Sequence, residues 1–145
     1  MQMKFLTGGL VGLTIGACAT MITPALADTV SYKADLQGSQ EVPAITTKGS
    51  GTADLTYDTA TKKLMWKVIF SGLSGPATAA HFHGPAEAGK NAGVAVPIAG
   101  TASPMDGSAT LTDAQAADLA GGKLYVNIHT AANKGGEIRG QVVKK

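Results

Sequence analysis

The chain contains three histidines, and their spacing points to metal binding. His81 and His83 stand two residues apart beside the glycine-rich segment 84–93, and His129 ends an alternating run at 124–129. Residues two apart in a β-strand point to the same side of the sheet, so His81 and His83 are expected to share one face. Neutral imidazole is a favoured ligand of Cu(II) and Zn(II). The three histidines therefore predict a transition-metal site.

The alternation of side chains predicts that this site lies on the outer face of the sheet. Ala80 and Phe82 alternate with two of the histidines, and apolar residues alternate through 124–128, so these positions are assigned to the core. A hairpin around 130–136 would bring further polar residues to the same outer face. Those residues are Asn127, Glu137 and Arg139. We interpret Asn127 or Glu137 as a group that orients an imidazole ligand without contacting the metal itself.

Other interpretations of these residues remain open. Histidines are common on solvated strand faces, and His-x-His alone is a weak motif. Segment 84–93 is either a lid over the histidines or a long solvated loop. Glu41-Val42-Pro43 is either a binding segment or, through Pro43, the end of a strand, and we favour the strand end. The sequence has no Gly-x-Ser-x-Gly motif, phosphate-binding loop or dinucleotide fingerprint.

The first 27 residues predict a cleaved secretory signal. Lys4 precedes an apolar, glycine-containing stretch, and a small-x-small pattern ends at Ala27. We expect cleavage between Ala27 and Asp28, which leaves residues 28–145 as a single periplasmic or secreted domain without a transmembrane segment. A lipoprotein signal, with lipid attached to Cys18, is the alternative.

Charge and cysteine content exclude several partners and chemistries. The full chain has a formal net charge of +2, and loss of residues 1–27 removes Lys4 but no acidic residue. Such a chain lacks the clustered positive charge that nucleic acid binding requires, so no nucleic acid partner is expected. Cys18 is the only cysteine and leaves with the signal, which excludes a disulfide or a thiolate ligand within 28–145.

The elements that must position the histidines are predicted to be short antiparallel strands. Period-two alternation and glycine-rich punctuation indicate seven or eight of them. The expected strand regions are 30–36, 51–57, 64–70, 77–83, 94–98, 107–111, 124–129 and 137–143. Thr112 to Gln115 has the form of a capping box, which predicts one short helix near 112–120 with Gly121 as its stop. The expected fold is therefore an all-β, antiparallel Greek-key sandwich or barrel.

Five sequence blocks resemble the CHRD family, the domain named after chordin. They occur in the family's order and together span about residues 32 to 142. The blocks are 41–43, 49–53, 78–86, 125–130 and 135–141. The chain departs from the family pattern at Ala44 and Lys134, where the family often has proline. The resemblance implies an extracellular or periplasmic β-sandwich.

A looser resemblance connects the histidines with copper-zinc superoxide dismutases. It rests on His81-x-His83 and on Gly135-Gly136-Glu137-Ile138-Arg139. It implies that His81, His83 and His129 hold copper and that Arg139, as a catalytic residue, attracts a small anion such as superoxide. The chain lacks the family's zinc-binding histidines and its disulfide, and it offers only three candidate copper ligands.

Two functions follow from these observations. The first is an exported domain whose cofactor is copper, with zinc or nickel as alternatives, and which has superoxide dismutase-like redox chemistry as a further step. The second is a non-catalytic module that binds a protein or glycan partner outside the cytoplasm. The first requires the three histidines, whereas the second tolerates their replacement.

Overall fold

The computed structural model describes residues 28–145, which form nine β-strands and one α-helix. The expected signal 1–27, with Cys18, lies outside the described residues. A short 3-10 helix, Gly38–Gln40, follows the first strand, and the α-helix α1 spans Asp113–Ala120. The strands are β1 Thr29–Gln37, β2 Ser50–Asp58, β3 Lys63–Ser71, β4 Ala77–His83, β5 Val94–Ile98, β6 Met105–Thr110, β7 Tyr125–Thr130, β8 Ile138–Gln141 and β9 Val143–Lys144.

The strands form one antiparallel sheet that nearly closes into a barrel. Its order is β5-β4-β7-β8-β1-β2-β3-β6, and the short β9 pairs with β1. β5 and β6, the two ends of this order, approach each other. The chain passes from β3 to β4, and from β6 to β7, without pairing those strands, as Greek-key connections do. The structure confirms the predicted all-β, antiparallel fold class.

Alternation along the strands accounts for the core. On β3, Leu64, Trp66 and Val68 point inward and are buried, whereas Met65 and Ile69 point outward and are exposed. The Trp66 and Phe82 rings meet edge to face, with their centroids 5.1 Å apart. The period-two pattern of the sequence therefore identifies the buried face of β3 correctly.

β7 departs from this one-sided pattern, because all six of its residues, Tyr125–Thr130, are buried. Val126 and Ile128 face the barrel interior. The alternate residues face outward but are covered by two chain segments, residues 38–49 and 84–93, which hydrogen-bond to the outer side of β7 and β8. The outer face that the sequence assigns to the histidines is thus also buried, beneath these two segments.

Helix α1 begins as the sequence predicts. The Thr112 hydroxyl accepts a hydrogen bond from the Gln115 backbone N–H, and the Gln115 side chain accepts one from the Thr112 N–H. The Gln115 amide also donates to the Ala95 carbonyl on β5, so the cap attaches the helix to the barrel. Among the described residues, no helix has both the length and the apolar character required to cross a bilayer.

Candidate metal centre

Strand register brings the three histidines together. His81 and His83 lie on β4, which pairs antiparallel with β7. In this register His81 lies opposite Asn127, and His129 lies opposite Ala79. His129 is therefore the diagonal neighbour of His81 on the same outward face, as the alternation pattern predicts.

The imidazoles are close enough to share one ion. Ring centroids are 5.0 Å apart for His81 and His129, 5.4 Å for His81 and His83, and 5.8 Å for His83 and His129. One ring nitrogen from each residue lies within 4.8 Å of the other two. Nitrogens at about 2.0 Å from one ion lie at most about 4 Å apart, so small shifts of the rings would allow them to hold a metal.

Backbone carbonyls set the tautomers of two of the rings. The Nδ1 of His83 lies 3.0 Å from the Ala92 carbonyl oxygen, and the Nδ1 of His129 lies 2.9 Å from that of Lys134. A carbonyl only accepts hydrogen bonds, so each Nδ1 carries the hydrogen and each Nε2 keeps a free lone pair. The His83 Nε2 is buried and has no hydrogen-bond partner in the described part of the chain.

His81 joins this arrangement through its other ring nitrogen. Its Nδ1 lies 3.1 Å from the His129 Nε2. Since the His129 Nε2 carries a lone pair, a hydrogen on the His81 Nδ1 must point at it. A metal ion could take the place of that hydrogen, which would leave the His81 Nδ1 and the two Nε2 atoms as the ligand set.

Burial favours the neutral form of His81 and His83. It is the largest cause of the lowered pKa of His81, and the nearby His129 lowers it further. Burial also lowers the pKa of His83, against the opposing effect of its hydrogen bond to Ala92. His129 itself is 9 % exposed. Because a metal binds only the neutral ring, a lowered pKa favours metal binding at neutral pH.

Arg139 lies where the register predicts, opposite Asn127 on β8. Its guanidinium covers the Tyr125 ring at 3.5 Å from the centroid and donates to Asn91 Oδ1 at 3.0 Å and to the Lys90 carbonyl at 2.7 Å. The side chain is only 2 % exposed. Arg139 therefore lies beneath segment 84–93.

Asn127 and Glu137 do not hydrogen-bond to a histidine. The Asn127 amide donates to the Glu41 carboxylate and to the Ile138 carbonyl, and Glu137 accepts hydrogen bonds from other residues, described below. The groups that hydrogen-bond to the imidazoles of His83 and His129 are the carbonyls of Ala92 and Lys134.

A comparison with protein-family models identifies the family of this chain. The CHRD domain model matches residues 32–142. The chain belongs to the CHRD domain family. CHRD is an extracellular-type domain. A search of curated proteins and a search of solved structures each returned no match.

Glu41 is a residue of the CHRD domain's site that the sequence analysis missed. It follows β1, is 8 % exposed, and accepts the hydrogen bond from Asn127. Burial raises the pKa of Glu41 to about 7, although the Asn127 hydrogen bond and the charge of Arg139 lower it. The signal available in the sequence was the Glu41-Val42-Pro43 block of the family resemblance. That block was considered as a binding segment, but Glu41 was not singled out as a site residue.

Gly136 is the residue that allows Glu41 and Asn127 to meet. Its φ is +130°, and a Cβ there would lie 2.4 Å from the Asn127 Nδ2 and 2.6 Å from the Glu41 Oε1. Only glycine fits both the backbone conformation and the space. One of the two glycines shared with the superoxide dismutase resemblance is thus explained by packing within the CHRD domain.

Glu137 connects three loops of the CHRD domain. It is fully buried, and burial alone would raise its pKa. Hydrogen bonds from Ser74, Thr47 and Thr130 outweigh burial and lower the pKa of Glu137 to about 2. The donors to its carboxylate are Thr47 Oγ1 at 2.6 Å, Ser74 N at 2.8 Å, Ser74 Oγ at 2.6 Å, Thr130 Oγ1 at 2.7 Å and Asn133 Nδ2 at 3.2 Å.

Proposed function

We propose that this CHRD domain is an exported metal-binding protein that holds copper through His81, His83 and His129. The observation that carries the proposal is the buried His83 Nε2, which has no partner in the described part of the chain and belongs to a cluster of three histidines with one ring nitrogen of each within 4.8 Å of the others. A buried acceptor left without a partner costs roughly 1–3 kcal/mol. A bound metal would supply that partner.

The chemistry of the ligand set favours copper. The cluster consists of imidazoles alone, without a carboxylate from the described residues, which disfavours calcium and magnesium. Among divalent metals of the first row, a given nitrogen site binds Cu(II) most tightly, ahead of Ni(II) and Zn(II). Nickel and zinc are therefore the competitors of copper in the test.

Three protein ligands would leave a coordination position for water or a small ligand. Copper bound there would supply one-electron redox chemistry. Superoxide is the substrate to test first, because the His-x-His and Gly-Gly-x-x-Arg segments resemble those of copper-zinc superoxide dismutases. The chain's own contribution is to hold neutral rings in fixed tautomers next to a covered polar layer.

Export is supported by the family and by the sequence. CHRD is an extracellular-type domain, and the first 27 residues have the pattern of a secretory signal. Mass spectrometry of the native protein tests this directly. Asp28 as the first residue supports a periplasmic or secreted form, and an acylated Cys18 would indicate a lipid anchor instead.

The test of metal binding is a Cu(II) titration of the metal-free protein, followed by EPR spectroscopy. We expect one Cu(II) per chain with hyperfine coupling to several nitrogens. Each lost imidazole should cost more than about 1.4 kcal/mol of binding free energy, a factor of about ten in affinity. Lys67→Gln, on the exposed face of β3, is the matched control. Unchanged affinity after the double substitution of His81 and His83 by alanine would contradict the proposal and favour an interaction module.

Redox activity needs its own measurement. Superoxide decay is compared between the copper-loaded protein and the same concentration of free copper. A rate above that of free copper, lost in His83→Ala, supports catalysis. Equal rates would leave this domain as a copper-binding protein without dismutase activity.

A further inference from the structure

Arg139 is the chain's single arginine, yet it is only 2 % exposed. A buried guanidinium must exchange its hydration for fixed acceptors, or it destabilises the fold. Within residues 28–145 the ion pairs are three lysine–aspartate pairs, and none of them includes Arg139. The acceptors of Arg139 therefore identify what this side chain stabilises.

Those acceptors belong to segment 84–93. The two Nη atoms of Arg139 donate to the Lys90 carbonyl and to the Asn91 side chain, while the guanidinium plane covers the Tyr125 ring. A planar fork that donates to two acceptors and also stacks on a ring is a property of arginine that lysine lacks. Arg139 thus holds residues 90 and 91 against Tyr125.

The next residue of the same segment contacts the metal site. The Ala92 carbonyl accepts hydrogen bonds from the His83 Nδ1 at 3.0 Å and from the Tyr125 hydroxyl at 3.2 Å. The Ala92 N–H lies 3.1 Å from the same hydroxyl oxygen. The Tyr125 ring also stacks on His83, with centroids 5.1 Å apart and planes 6° apart. Arg139 and His83 therefore share two supports, the segment 90–92 and the Tyr125 ring.

The geometry points to Arg139 as a positioning residue that acts through segment 90–92 and Tyr125 on His83. It aims the His83 Nε2 into the cluster and keeps the hydrogen on Nδ1. This role rests on the proposed function only where the metal itself is concerned. This role differs from that of an arginine that attracts a small anion, because the guanidinium is covered by the segment that it holds.

A substitution at Asn91 would weaken this support while leaving Arg139 itself unchanged. Its Oδ1 accepts from Arg139, and its Nδ2 donates to the Val42 carbonyl at 2.9 Å, which joins the two covering segments. Asn91 itself is exposed. Substitution there is therefore compatible with folding, even if a change at Arg139 is not.

The first experiment needs no metal. The ring ¹⁵N chemical shifts of His83 are measured in the metal-free wild type, Arg139→Lys and Asn91→Ala, with Lys67→Gln on the exposed face of β3 as the control for a substitution away from the site. We expect a single tautomer with the hydrogen on Nδ1 in the wild type and in Lys67→Gln. In the other two variants a second tautomer should appear, and amide exchange at Ala92 should become faster.

The second experiment measures Cu(II) affinity and azide binding to the copper form. Residues that orient metal ligands typically change affinity by about 10- to 100-fold. We expect Cu(II) affinity to fall about tenfold in each single variant. The double variant should bind Cu(II) no more weakly than the single variant with the lower affinity, since both substitutions act through one segment. Azide affinity should stay within about twofold of the wild type.

Two outcomes would overturn the positioning role. One is a His83 tautomer that does not change in Arg139→Lys and Asn91→Ala. The other is a loss of azide affinity in Arg139→Lys alone, with copper affinity and the EPR spectrum unchanged, which would place the guanidinium against the anion. A wild type that binds no copper contradicts the proposed function, while the ¹⁵N experiment still decides the role of Arg139.

Discussion

Glu41 and Glu137 both belong to the polar region on the outer side of β7 and β8, but they differ in their expected charge. Glu137 is 0 % exposed and Glu41 is 8 % exposed, so burial alone would disfavour the ionised form of both. Yet the pKa of Glu137 is lowered to about 2, whereas burial raises the pKa of Glu41 to about 7.

The difference comes from the number of hydrogen-bond donors. Glu137 accepts from the hydroxyls of Thr47, Ser74 and Thr130, from the Ser74 N–H and from Asn133. Glu41 has one donor, Asn127, and the charge of Arg139 acts on it without an ion pair. Donors brought by the loops thus decide the charge of a buried carboxylate more strongly than its depth does.

This comparison assigns different roles to the two groups. The ionised Glu137 ties together the segments before β2, before β4 and before β8, so it supports the fold around the histidines. Glu41 carries a carboxyl that titrates near neutral pH beside Asn127 and Arg139. The variants below test the contrast, beginning with the largest expected effect.

Glu137→Gln should be the most destabilising change. The neutral amide has one acceptor oxygen where the carboxylate has two. In either orientation its NH₂ group faces an N–H donor, from Ser74 or Asn133, that loses its acceptor, while the hydroxyls on that side must turn to accept instead. At roughly 1–3 kcal/mol for each unsatisfied group, the free energy of unfolding should fall by about 3 kcal/mol in urea titrations. Glu87→Gln, at an exposed glutamate of segment 84–93, is the control and should change little.

The pH dependence of the free energy of unfolding at acid pH provides a second test with the same variant. The folded pKa of Glu137 lies below its ordinary value of 4.5, so its contribution is present above about pH 4.5 and is lost as the pH falls towards 2. The stability of Glu137→Gln should therefore vary less over this range. Parallel curves for wild type and variant would contradict the ionised, hydrogen-bonded state.

Gly136→Ala tests the close contact that holds Glu41 in place. The new Cβ would collide with Asn127 and Glu41, and the φ of +130° is unfavourable for alanine, so we expect a loss of about 2 kcal/mol. Gly135→Ala is the matched control, since nothing lies within 4 Å of its added Cβ. Equal thermal unfolding of the two variants would show that the Glu41–Asn127 contact is not tight.

Glu41→Gln should have the smallest effect on stability near pH 5, where the carboxyl is neutral like the amide that replaces it. Its pH dependence should be opposite to that of Glu137→Gln. A folded pKa raised from 4.5 to about 7 means that the contribution of Glu41 is fully present below pH 4.5 and is lost as the pH rises through 7. Relative to wild type, Glu41→Gln should gain about 2.5 kcal/mol between pH 5 and pH 8, because a shift of one pKa unit corresponds to about 1.4 kcal/mol. An unchanged difference between these two pH values would mean that Glu41 is as well solvated as an exposed glutamate.

Local sequence patterns were sufficient to predict the antiparallel fold and the grouping of the histidines. Period-two alternation is a local property of a strand, so the inward faces of β3 and β7 and the common outward face of His81, His83 and His129 could be predicted without the fold. The Thr112 capping box is equally local, because its partner Gln115 is three residues away.

Only the tertiary structure decided what covers that outward face. Glu137 bonds to Ser74, 63 residues away, and to Thr47, 90 residues away, and Glu41 meets Asn127 across 86 residues. Such pairs leave no period in the sequence, because they depend on where a closed barrel places the ends of its loops. The tautomers of His83 and His129 follow from the same loops, since the carbonyls of Ala92 and Lys134 reach the rings only after the barrel has formed.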